Sequence, residues 1–191
     1  MNPKKHCFCF CNLEGINQSR FKMKHHYIIE ELTRNKSVFQ SLLQNTSPEV
    51  YKWKQSDEKW SLLEMLCHLV DEEREDFRAR VHHVLSTPDN PASPIDPAGW
   101  VTSRKYSEQD FNTVLQTLIK ERSESIEWLK TLSDPSWDNT YHHPQLGGLT
   151  AKMFFTNWLA HDYLHIRQII KLKYDYLSRS YDENLSYAGN W

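Results

Sequence analysis

The chain has 191 residues, a length that fits one domain with appendages. Its 23 Lys and Arg stand against 25 Asp and Glu, a formal charge of −2. It therefore lacks the basic excess of a nucleic-acid or anionic-membrane binder, and no apolar run is long enough to span a bilayer. A content of 39% hydrophobic and 25% charged residues excludes a disordered chain, and five glycines point to helices rather than to a tightly turning sheet.

Residues 1–22 show neither helical nor strand period and are expected to form a flexible tail. Cys7, Cys9 and Cys11 stand there as C-x-C-x-C, without the spacer or the second half of a zinc ribbon. With no export signal and no disulfide framework, a reducing cytoplasm is the expected compartment. The domain proper is expected over residues 23–176. A first helix spans about residues 23–45, because Ile28, Leu32, Phe39 and Leu42 share one face. A second opens near Trp60 and Ser61 and runs to about Ser86, where Pro88, Pro91, Pro94 and Pro97 stop it. A long proline-rich connection leads to a third helix from Ser107, whose hydroxyl is placed to accept from the N–H of Asp110, to about Ser133. Phe111, Leu115, Leu118, Leu129 and Leu132 form its apolar face. A further connection, carrying Trp137, His142, His143, Gly147 and Gly148, precedes a fourth helix over about residues 150–174. Residues 177–191 form a C-terminal tail. The expected fold is all-α, a four-helix bundle with long connections, so that consecutive helices need not be antiparallel neighbours.

The fourth helix carries the most informative residues. Its core stripe holds Phe154, Trp158, Ile169 and Leu172, and His161 and His165 fall within about 20° of its centre at 100° per residue. At i and i+4, both imidazoles reach one metal ion, although a buried histidine more often only satisfies a hydrogen bond. A third candidate, His68, points about 140° away from Leu63 and Val81 on a straight helix. Either it faces solvent, or it lines a second face with Ser61, Met65 and Glu72. Arg122 interrupts the apolar stripe of the third helix, where it needs a buried partner, meets an anionic substrate or snorkels to water. Trp158, Met65 and Tyr163 are cavity or core. His142 and His143 lie in a loop, where histidines are mostly solvated, and His25, His26, His82 and His83 are assigned to the surface.

Three stretches together carry a resemblance: W-S-x-x-E-x-x-x-H-L from Trp60 to Leu69, the D-E-E run from Asp71 to Glu73, and L-T-A-x-M-x-x-x-N-W-x-x-H-D-x-x-H-I-R-Q from Leu149 to Gln168. Over residues 23–174 the chain resembles the DinB-like, YfiT-type superfamily of metal-dependent enzymes. The resemblance implies a four-helix bundle in which His68, His161 and His165 bind one divalent ion, zinc, nickel or another first-row metal, at the end of a pocket. It also implies a low-molecular-weight thiol such as bacillithiol, mycothiol or glutathione as co-substrate. Thiol-dependent S-transfer is the favoured reaction, hydrolysis the second, and a non-catalytic binding module of the same fold the alternative from another class. Three imidazoles leave a coordination position open for chemistry. Each ring needs an acceptor for its other N–H, for which Asp162, Glu72 and Asp71 stand nearby; Asp162, about 100° from His161, is expected instead to hold a neighbouring helix or loop, or to be a surface carboxylate. Glu72 and Arg122 are the candidates for a catalytic role beyond the metal. The expected partners are a small-molecule substrate and a second copy of the chain, with no nucleic acid and no membrane.

Overall fold

The computed structural model describes residues 13–189, with side chains from residue 25 onward. The Cys7, Cys9 and Cys11 cluster lies outside the described residues. Helix α1 runs Leu13–Leu43, so it begins within the expected tail; its first ten residues contain no proline and a single glycine, Gly15, and nothing in them breaks a helix. A short α2, Pro48–Tyr51, follows.

The second long helix opens where Ser61 predicts. The Ser61 hydroxyl accepts from the Glu64 N–H while the Glu64 carboxylate accepts from the Ser61 N–H, a reciprocal cap at 3.3 and 2.8 Å. From this cap α3 spans Leu62–Asp71, a π-helical stretch spans Glu72–Phe77, and α4 continues over Arg78–Ser86. The proline-rich connection folds in part: Asp96 caps α5, Pro97–Ser103, which buries Trp100. Ser107 does not start the third helix. It sits in a 3-10 turn, Tyr106–Glu108, held by the Tyr106 hydroxyl donating to Asp71 at 2.5 Å. Asp110 is itself the N-cap, accepting from the Thr113 N–H at 2.8 Å, and α6 spans Phe111–Thr131.

The connection after α6 contains a hairpin that the low glycine count did not announce. Strand β1, Thr140–His143, pairs antiparallel with β2, Gly147–Thr150, and Gly147 supplies the positive φ at the turn. Thr150 then caps α7, accepting from the Met153 N–H. Helix α7 spans Ala151–Tyr181, seven residues beyond Tyr174, and a 3-10 turn at Leu185–Ala188 occupies part of the expected C-terminal tail.

Packing closes the bundle in the ring α1, α6, α3–α4, α7 and back to α1. The core divides into two apolar clusters. One holds Phe39, Leu62, Leu66, Phe111, Leu115, Ile169 and Leu172; the other holds Leu32, Phe77, Val81, Leu129, Phe155 and Trp158. On every long helix, buried polar residues lie between the two sets: Asn35 on α1, His68 and Glu73 on the second helix, Arg122 on α6, and Asp162 and His165 on α7. No helix among the described residues is long and apolar enough to cross a membrane.

Candidate metal centre

The polar layer has two parts. The first is a charge network. Arg122 is fully buried and donates through Nη1 and Nη2 to Asp162 at 2.6 and 2.7 Å, and through Nε to Glu73 at 2.9 Å. Asn35 donates to Asp162, and the Trp158 indole N–H donates to Glu73 at 2.7 Å. All four long helices meet in this network. Every guanidinium nitrogen is engaged by a carboxylate, so Arg122 neither snorkels nor faces a substrate. Trp158 is likewise core rather than cavity wall, and the exposed Tyr163 donates to Glu31 across the α1–α7 surface.

The second part is the histidine cluster. His161 and His165 bring their Nε2 atoms to 3.0 Å, and His68 approaches from α3 with its ring centroid 5.4 Å from His161 and 5.0 Å from His165. One ring nitrogen from each residue lies within 4.8 Å of the others, an arrangement able to hold a metal ion. The 140° offset of His68 from Leu63 does not turn its ring to solvent. All ten residues of α3 are buried, so that helix has no solvent face. Val81, moreover, lies beyond the π-helical stretch, whose extra residue per turn shifts the register of everything after it.

Burial sets the charge state of the cluster. Removal from water lowers the pKa of His68 to about 3, aided by His165, and that of His165 to about 4. His161 is depressed as well, by burial first and then by His165, His68 and Arg122. All three rings are therefore neutral at pH 7 and offer lone pairs. The Nδ1 atoms of His68 and His165 are buried without a hydrogen-bond partner. Three neutral imidazoles, two of them with an unpartnered nitrogen, suit a first-row divalent ion and would leave a coordination position open.

Glu72 stands behind His68, with its Oε1 3.9 Å from His68 Nδ1, too far for a hydrogen bond. Burial, and then Asp76, push its carboxyl up to about 8. Asp71 is committed to Tyr106 and to Arg104 and is not an acceptor for a cluster histidine. Asp162 is no surface carboxylate, since it holds Arg122 and Asn35. His142 and His143 belong to β1, where the His143 Nδ1 accepts from the Gln145 and Leu146 N–H groups. His25 leaves the surface group, because its ring packs 4.5 Å from that of Trp137.

A cavity of about 590 Å³ opens onto His165, with Trp60, Met65 and Leu172 as its apolar wall and Lys59, Arg167 and Lys171 at its rim. Of these, only Met65 was singled out as cavity lining by sequence; Arg167 lies inside the H-I-R-Q segment but carries no signal of its own.

A sequence profile described as the DinB superfamily matches residues 31–169, more than half of the chain. No curated protein matches. The chain is similar to a solved structure described as "YfiT from Bacillus subtilis is a probable metal-dependent hydrolase with an unusual four-helix bundle topology", at 17% identity, a TM-score of 0.71, and coverage of 96% of this chain and 95% of that one. At that identity the likeness shows the fold alone.

Proposed function

We propose that this chain, which belongs to the DinB superfamily, is a cytoplasmic metal-dependent enzyme that transfers a low-molecular-weight thiol to an electrophile. The observation that carries this reading is the cluster itself: three neutral imidazoles from α3 and α7, His68 and His165 buried and His161 half-buried, with ring nitrogens within 4.8 Å of one another. His68, His161 and His165 are the ligands. A divalent ion held there would supply Lewis acidity, lowering the pKa of a thiol or a water so that it would be a nucleophile at neutral pH.

The chain's own residues do the rest. Arg122 and Asp162 fix the turn of α7 that bears His161, because Asp162 follows it directly. Trp60, Met65 and Leu172 exclude water from the inner wall of the cavity. Among the described residues no carboxylate base stands on that inner wall: Glu72 does not line the cavity, and Glu58, which does, accepts from the Ser56 hydroxyl. A thiol, more acidic than water from the start, needs such a base least.

The description of YfiT as a probable metal-dependent hydrolase favours water as the nucleophile instead. One assay separates the two. Metal-loaded protein is mixed with glutathione, bacillithiol or mycothiol and chlorodinitrobenzene. A C–S bond forms, the C–Cl bond breaks, chloride leaves and the thiol proton passes to solvent. Metal-dependent conjugation that disappears in His161→Ala is the expected result. If no thiol is consumed while ester or amide substrates are cleaved with the same metal dependence, the hydrolase reading replaces this one.

A further inference from the structure

We infer that the cavity beside the histidines selects a co-substrate whose far end is anionic, a carboxylate or a phosphate. This inference rests on the thiol reading above and adds the chemistry of the rest of the molecule. Three cations, Lys59, Arg167 and Lys171, stand around a cavity whose one carboxylate, Glu58, accepts a hydrogen bond from the Ser56 hydroxyl at 2.7 Å. Lys171 is matched by Asp175. Lys59, next to Glu58 in the chain, and Arg167 make no ion pair within 4 Å among the described residues; Arg179 makes none either, whereas Arg34, Arg74, Arg78, Arg80, Arg104 and Arg122 each pair with a carboxylate. The chain as a whole carries two more acids than bases. Three cations against one carboxylate in the lining of a single cavity are therefore a local excess of positive charge on a chain that is acidic overall.

The layout fixes the direction in which a ligand lies. His165, Gln168 and Lys171 follow one another at three-residue steps along α7, which places Lys171 about 9 Å further along the helix axis than His165. A molecule with its sulfur at the histidines crosses the apolar stretch of Trp60, Met65 and Leu172 and puts its other end among the cations. Low-dielectric walls strengthen the field of cations at such a mouth, and the guanidinium fork of Arg167 matches the geometry of a carboxylate or phosphate.

The test uses three thiols of equal length that differ only at the far end: mercaptohexanoate, mercaptohexanol and aminohexanethiol. Calorimetry with the cobalt-loaded full-length protein gives the affinities, and the thiolate-to-cobalt charge-transfer band shows whether sulfur reaches the ion. Mercaptohexanoate is expected to bind about tenfold more tightly than mercaptohexanol at low salt, with aminohexanethiol weakest, and the preference should shrink as salt rises. In K59Q/R167Q, whose two sites are both exposed, the ratio should fall towards one while mercaptohexanol binding stays as in the wild type. Displacement by hexanoate or by hexyl phosphate ranks the two anions, and displacement by neither overturns the inference. Equal affinities for the acid and the alcohol, with the band present, overturn it too. Absence of the band with every thiol contradicts the metal–thiol reading instead, while the calorimetric ranking still decides the anionic preference.

Discussion

Arg122 gives its whole guanidinium to Glu73, Asp162 and the Leu32 carbonyl, and no donor is left over for the cavity at the histidines. Two carboxylates sharing one buried cation are stable only while that cation is present. Arg122→Met keeps much of the volume but strands both acids in the core, and should destabilise the fold by about 3 to 5 kcal/mol. Urea unfolding of the metal-free protein measures this, and a loss well below 1 kcal/mol would mean that water reaches Glu73 and Asp162. Asp162 illustrates what was legible at this scale. Its helical angle relative to His161 pointed to a neighbouring element rather than to the histidines, and it does hold α6 and α1. Glu73 was not legible as its partner, because nothing in a D-E-E run tells which acid turns inward.

Among the elements, α3 depends on its first turn. The Ser61 and Glu64 cap satisfies two donors at a buried helix end, and Lys54 adds an ion pair to Glu64 at 2.7 Å. Ser61→Ala should cost about 1 kcal/mol, read as a lowered thermal midpoint, and a midpoint equal to the wild type would contradict the capping account. Start signals of this kind were readable at Ser61 and Thr150. At Ser107 a similar signal misled, because Asp110 three residues on is a competing cap and Tyr106 is drawn to Asp71. The π-helical stretch Glu72–Phe77 had no signature in the residues, and it is what made the straight-helix angle of His68 against Val81 misleading. The hairpin escaped notice because each strand is only four residues long and is set by pairing, not by alternation of apolar side chains.

At the scale of the molecule, two apolar clusters enclose a polar layer, and the histidines occupy the side of that layer reached by the cavity. The periodicity of the long helices was sufficient to anticipate the bundle. The bringing together of His68 with His161 and His165 was legible only through the family resemblance, since local pattern does not determine how α3 meets α7. Because the three proposed ligands come from these two elements, a bound ion would join them, and its loss would remove a tie across the core. The central claim is tested most directly by elemental analysis of untagged protein grown with ample zinc and nickel. The wild type should contain about one equivalent of a first-row divalent ion per chain, and His161→Ala should contain almost none. A correctly folded wild type that comes off the column without metal, or a His161→Ala variant that retains the full equivalent, would contradict it.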